Sequence, residues 1–76
     1  MNKLIDILHN IRPEFDFENS DNYIEQGMLD SFDIVTLVSE LDASYNISID
    51  GLDIVPQNFS NLQSILALVK NNGGNI

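Results

Sequence analysis

The chain has 76 residues and a formal net charge of −9, with twelve Asp and Glu residues against three Lys and Arg. A chain of this length forms one small domain (residues 1–76), and a surface this acidic disfavours binding to nucleic acid or to anionic membranes. Cysteine is absent from the sequence, which excludes disulfides and thiol chemistry by the protein's own side chains.

The apolar runs are too short to span a bilayer, so we expect no membrane insertion. Residues 1–12 lack the long apolar region and the small-residue cleavage site of a signal peptide. We therefore expect a cytoplasmic protein, and we expect it to be a monomer.

The first predicted element is an amphipathic helix over residues 3–12. Its inward side chains, spaced as on one face of a helix, are expected to be Leu4, Ile5, Leu8 and Ile11. Pro13 ends this helix, because its ring disfavours helical geometry in the residue before it. Residues 13–29 predict a long loop, of a kind that is often functional, with apolar side chains that pin it over the helices.

The second predicted helix covers residues 31–45. Its apolar residues follow the i, i+3, i+4, i+7 spacing of a helix with one buried face and are Ile34, Leu37, Val38, Leu41 and Tyr45. Asp30 is a good N-cap, because its carboxylate can accept hydrogen bonds from backbone N–H groups of the first turn. Leu29 and Ile34 occupy the positions of a hydrophobic staple, which fixes the chain's entry into the helix and the direction of Ser31.

Between the second helix and the end of the chain, the sequence predicts a connector and a short turn. Ile47 and Ile49 alternate with polar residues, but no second strand is evident, so we predict an extended connector. Pro56 suits the first position of a short helical turn over residues 56–59.

The last predicted helix begins after Ser60, where Gln63 completes a capping-box pattern. Its buried residues are expected to be Leu62, Ile65, Leu66 and Val69. Residues 71–76 are expected to form a flexible tail. The core of the domain is predicted to include Leu8, Leu37, Leu41, Leu62 and Leu66.

The segment around Ser31 carries the clearest functional signal. Gly27 permits a turn, and Ser31 follows at the start of the second helix. A serine there is exposed, lies close to free backbone N–H groups, and is able to carry a phosphodiester. Those N–H groups favour such a charge, whereas the carboxylates of Asp30 and Asp33 oppose it, and the sequence leaves the balance open.

This segment resembles the phosphopantetheine attachment site of acyl carrier proteins and related carrier domains. The family pattern is an acidic or polar residue, Gly, a hydrophobic pair and Asp-Ser-Leu, and the matching residues here are Glu25–Phe32. The similarity covers nearly the whole chain, including the connector and the Pro56-x-x-Phe59 turn. Phe32 departs from the usual leucine, which bears on the choice of partner more than on modification.

The resemblance implies an all-α fold, a small four-helix carrier bundle with three main helices, one short helix and a long first loop. It implies that a phosphopantetheinyl transferase attaches 4′-phosphopantetheine from coenzyme A to Ser31, with Asp30 as motif partner and Gly27 as the motif turn. The arm's thiol would hold acyl or aminoacyl groups as thioesters, since the chain has no thiol of its own. The protein would not itself be an enzyme, because the catalysts are its partners.

The outer face of the second helix is the predicted docking surface. At about 100° per residue, the positions opposite the core are Asp33, Thr36, Ser39, Glu40 and Ala43. The expected partners are loading and synthase enzymes with basic docking surfaces. Phe32 is predicted to be a partner-facing anchor, and the competing interpretation packs it onto the loop near Met28 or Tyr23.

Two functional interpretations stay open. The first is a carrier protein whose cargo is a fatty or polyketide acyl chain, or an activated amino acid of the kind held by D-alanyl and peptide-synthetase carriers. The second is a small acidic protein-interaction module that is never phosphopantetheinylated. His9 is the only histidine, so no zinc site is expected.

Overall fold

The computed structural model describes residues 2–74. Three α-helices are present: α1 (Asn2–Ile11), α2 (Ser31–Tyr45) and α3 (Leu62–Asn71). Two short 3-10 turns, Gly51–Asp53 and Pro56–Phe59, lie between α2 and α3. Within the described residues there is no strand, and no helix is both long and apolar enough to cross a membrane. The predicted all-helical class and the turn at 56–59 are confirmed, whereas the turn at 51–53 was not predicted.

One hydrophobic core receives side chains from every α-helix and from the loops. Its buried members are Leu4, Ile7, Leu8, Phe17, Tyr23, Met28, Leu29, Ile34, Leu37, Leu41, Ile49, Phe59, Ile65, Leu68 and Val69. The predicted core positions of Leu8, Leu37 and Leu41 are confirmed. In α1 it overlooked Ile7, while Ile5 and Ile11 are only partly buried against the core.

The predicted buried face of α3 is confirmed at Ile65 and Val69 but requires a correction at Leu62 and Leu66. Leu62 and Leu66 are only partly buried, and Leu68 is buried in their place. The reason is that Leu62 and Leu66 line a groove of about 550 Å³ between α3 and the long loop, together with Phe17. The groove leaves this side of α3 open to solvent.

The long loop is fixed to the rest of the protein through Tyr23. Its backbone N–H donates to the carbonyl oxygen of Ser60 at 2.7 Å. Its own carbonyl oxygen accepts from the N–H groups of Met28, at 2.8 Å, and Leu29, at 3.2 Å. The phenol donates to the carbonyl oxygen of Phe17, and the two rings meet edge to face with centroids 5.0 Å apart. The loop is therefore a supporting element of the fold, as its apolar residues predicted.

The two cations at the ends of α1 hold it antiparallel to α2. Lys3, at the start of α1, donates to the carbonyl oxygen of Ser44 and lies 4.6 Å from the centre of the Tyr45 ring. Arg12, just after α1, contacts carboxylates at the start of α2. The end of α1 therefore lies beside the helix start that contains Ser31.

Both ends of α3 differ from the prediction. The N-cap is Asn61, whose side-chain oxygen accepts from the N–H of Ser64 at 2.8 Å. Ser60 is one residue too early for this role, and its hydroxyl instead donates to the carbonyl oxygen of Gln57 at 3.1 Å. The predicted capping box of Ser60 and Gln63 is therefore wrong.

At the other end, α3 continues to Asn71 and closes with two backbone hydrogen bonds. The N–H of Gly74 donates to the carbonyl oxygen of Val69 at 2.8 Å, and that of Gly73 to Lys70 at 3.1 Å. With Gly73 left-handed at φ +92°, this is a Schellman motif. Residues 71–74 thus form the hydrogen-bonded end of α3, whereas the flexible tail predicted for residues 71–76 stays a prediction, and residues 75 and 76 lie outside the described range.

Candidate functional site

The chain approaches α2 through a turn that requires glycine. Gly27 has φ +72°, in the left-handed region that L side chains rarely adopt. Its N–H donates to the carbonyl oxygen of Ile24 at 3.1 Å. Met28 and Leu29 then enter the core, so that Asp30 emerges at the surface. Gly27 is therefore the turn residue that the sequence predicted.

Ser31 lies inside a reciprocal capping box. The Oδ1 atom of Asp30 accepts from the N–H of Asp33 at 2.9 Å, and the Oδ2 atom of Asp33 accepts from the N–H of Asp30 at 3.2 Å. The predicted N-cap role of Asp30 is confirmed. The return bond from Asp33 was not predicted, because the usual residue at this third helical position is Glu or Gln.

Arg12 joins the end of α1 to this capping box. Its Nε atom donates to Asp33 Oδ2 at 2.8 Å, and its Nη2 atom lies 3.4 Å from Asp30 Oδ2. Its Nη1 atom lies 3.7 Å from Glu14 Oε2. Arg12 was not predicted as a site residue. The sequence did contain a signal for it, since no other Lys or Arg occurs between residues 4 and 69.

These contacts favour the charged forms of Asp30 and Arg12. The hydrogen bond from the backbone N–H of Asp33, together with the nearby positive charge of Arg12, holds the pKa of Asp30 below its ordinary value. The hydrogen bond and charge of Asp33 raise the pKa of Arg12 in turn. The helix start thus holds a guanidinium and carboxylates in direct contact.

One of the five residues predicted to form the outer face of α2 is buried. Asp33 is only 9% exposed, because its side chain turns back toward Asp30 and Arg12. Its predicted place on the exposed outer face is therefore wrong. The other four residues are exposed, as expected from the helical phase, and they are Thr36, Ser39, Glu40 and Ala43.

Ser31 is exposed and lies beside an apolar surface. With Phe32 and Val35 it lines a shallow cleft of about 250 Å³. Phe32 is 84% exposed and Val35 is 65% exposed. The alternative that packed Phe32 into the long loop is therefore wrong. Among the described residues, no group of three or more His, Asp or Glu side chains could hold a metal ion.

Comparison with protein-family models gives no match for this chain, and comparisons with curated proteins and with solved structures give none either.

Proposed function

We propose that this protein is a carrier that receives 4′-phosphopantetheine on Ser31 and presents acyl or aminoacyl groups to partner enzymes. The observation that carries the proposal is the exposed Ser31 at the first position of α2, in a carrier-like motif. The left-handed Gly27 turn and the Asp30 cap fix the helix start from which this hydroxyl projects.

The surroundings of Ser31 fit the attachment of such an arm. The hydroxyl is at the surface, so a transferase can reach it, and the adjacent cleft gives the first atoms of the arm an apolar wall in Phe32 and Val35.

In the proposed transfer, Ser31 Oγ forms a bond to the β-phosphorus of coenzyme A while the pyrophosphate P–O bond breaks. Adenosine 3′,5′-bisphosphate leaves, and the serine proton passes to a base of the transferase. The bound group supplies a thiol for thioester chemistry, which this cysteine-free chain lacks.

The architecture supports the same proposal. We assign the chain to the small four-helix carrier bundles, with α1, α2 and α3 as the main helices and Pro56–Phe59 as the short one. The long first loop and the connector through Ile47 and Ile49 occur in the order that this family shows.

The docking surface in this proposal is the exposed side of α2. Phe32 and Val35 lie at its start, and Thr36, Ser39, Glu40 and Ala43 continue it. Loading and synthase enzymes with basic surfaces would be steered to a protein of net charge −9, and apolar contact with Phe32 would add binding energy.

The proposal is tested by incubating the protein with coenzyme A and a broad-specificity phosphopantetheinyl transferase. We expect the intact mass to rise by one phosphopantetheine, and Ser31→Ala to abolish the rise. Ser48→Ala is a matched control at another exposed serine, and it should be modified normally. Modification that persists in Ser31→Ala would reject the site. A native protein that several transferases leave unmodified would favour the unmodified interaction module.

A further inference from the structure

A phosphodiester on Ser31 would be repelled by two carboxylates at the start of α2. Asp30 lies immediately before Ser31 and Asp33 lies two residues after it, and each carboxylate is bonded within the capping box. The N–H of Asp33 already donates to Asp30 Oδ1, so this part of the helix N-terminus does not serve a new anion. A further negative charge at Ser31 therefore needs a positive charge nearby.

Arg12 is the residue placed to supply that charge. It is held beside the helix start by its contacts with Asp33 at 2.8 Å and Asp30 at 3.4 Å. The Arg12 side chain is 35% exposed, and the side chain of its bonded partner Asp33 is only 12% exposed, so solvent screens this pair less than an open surface pair. The other two basic residues, Lys3 and Lys70, belong to the start of α1 and the last turn of α3.

Arg12 also restrains the backbone around Ser31 through its hydrogen bond to Asp33. A single oxygen atom, Asp33 Oδ2, accepts from both Arg12 Nε and the N–H of Asp30. Ser31 and Phe32 form the segment between the two capping residues. Motion of the Asp33 carboxylate would therefore change the entry into α2 and the direction of the Ser31 hydroxyl.

We infer that Arg12 is a positioning residue for the modification of Ser31. It acts through Asp30 and Asp33, fixing the helix start and offsetting the negative charge that the transferred phosphate meets. This role rests on the proposed function. It adds Arg12, the residue that directly follows α1, to the residues that support the modification of Ser31. Arg12 lies off the exposed face of α2, so it affects the transfer within the complex more than the docking of the transferase.

The test compares the native protein with Arg12→Gln, Arg12→Lys and Lys70→Gln as substrates for a phosphopantetheinyl transferase and coenzyme A. Initial rates are measured over a range of carrier concentrations, at a temperature where far-UV circular dichroism shows each variant folded. We expect Arg12→Gln to lower kcat about tenfold with little change in KM, because a misplaced nucleophile loses rate after binding. Arg12→Lys should recover part of the rate, since an ammonium keeps the charge but lacks the fork that reaches two carboxylates.

Lys70→Gln is the control for net charge, because it removes the same charge from an exposed position on α3. We expect its kcat to be native. Equal kcat in Arg12→Gln and the native protein would overturn the inference, as would an effect confined to KM or an equal loss in Lys70→Gln.

Asp33→Asn provides a second route in case Arg12→Gln does not fold. Its side-chain oxygen can still accept from the N–H of Asp30, but its ion pair with Arg12 is lost. We expect a fall in kcat smaller than that of Arg12→Gln, because Asp33→Asn also removes one carboxylate charge beside Ser31, and we expect the combined variant to be no slower than Arg12→Gln alone. Additive losses would overturn the coupling through Asp33. A native protein that is not modified would reject the proposed function itself, and the inference would fall with it.

Discussion

At Gly27 the backbone adopts φ +72°, and no atom lies within 4 Å of where a Cβ would be placed. Space therefore does not exclude a side chain at this position. The cost of adding one is the strain of a left-handed conformation, which glycine avoids because it has no Cβ. The destabilisation expected from a side chain at this turn before Ser31 is therefore due to backbone strain and not to a steric clash.

We expect Gly27→Ala to lower the free energy of unfolding by about 1–2 kcal/mol. Gly27→Asn should lose less, because asparagine tolerates the left-handed region better than alanine. Gly51→Ala is the matched control, since it also has open space around a Cβ but no left-handed φ, and it should be neutral or slightly stabilising. Urea unfolding measures all three. Equal losses in Gly27→Ala and Gly51→Ala would contradict the strain argument.

The site residues whose contacts lie close by in the sequence were predictable. Arg12, whose contacts lie far along the chain, was not. The cap at Asp30 and the turn at Gly27 were predictable, because caps and left-handed turns depend on a few neighbouring residues. The contact of Arg12 with Asp33 spans 21 positions of the chain. It exists only because α1 ends beside the start of α2, which no local pattern encodes.

α2 divides its surface between the core and the solvent. Leu37 and Leu41 are fully buried, whereas Phe32 and Val35 leave the first turn and the next one exposed and apolar. An exposed aromatic side chain contributes little to folding but can bury a large area in a partner. In the proposed function, α2 therefore has two separable tasks, stability on its buried side and partner recognition on its exposed side.

We expect Phe32→Ala to change the free energy of unfolding by less than about 1 kcal/mol, as for ordinary surface positions. The same variant should slow the modification of Ser31, because a partner loses its apolar contact beside the serine. Leu52→Ala is the matched control, at an apolar side chain that is 86% exposed in the Gly51–Asp53 turn. Chemical unfolding and transferase rates are the measurements. A loss of several kcal/mol, or an undiminished rate, would argue against Phe32 as a partner contact.

The accuracy of the helix predictions followed the strength of their end signals. The bounds of α2 were predicted correctly, from a clear N-cap and a single apolar stripe. In α3 residues 65–69 are apolar without interruption, so the sequence pattern alone did not distinguish Leu66 from Leu68 as the buried side chain. Leu62 and Leu66 line the groove beside the long loop, and the position of that groove depends on tertiary packing.

For the whole molecule, the order of helices followed from the sequence, whereas the internal attachment of the long loop did not. Apolar residues in the loop predicted that it would cover the core, but not that one residue would organise it. Tyr23 does so through hydrogen bonds to three separate segments, at Phe17, Met28–Leu29 and Ser60. Such a centre has no local signature, because each bond depends on a different part of the fold.

The buried phenol of Tyr23 is also expected to make the stability of the protein depend on pH in the alkaline range. Burial raises the pKa of Tyr23 to about 12 from an ordinary value of 10.0. Because the raised pKa belongs to the folded state, its contribution to stability is complete below about pH 10 and is lost as the pH rises toward about 12. In the unfolded chain the phenol ionises first, which draws the equilibrium toward unfolding.

The contribution is measured by urea unfolding at a series of pH values from neutral to alkaline. Tyr23→Phe should lose about 1–3 kcal/mol at neutral pH, because the carbonyl of Phe17 is left without its donor, and its stability should fall less steeply above pH 10. Tyr45→Phe, at a half-buried tyrosine, should change the alkaline slope less. An unchanged slope in Tyr23→Phe would contradict this assignment. A chain dominated by carboxylates, which titrate in acid, is thus also expected to lose stability in alkali through a phenol within the core.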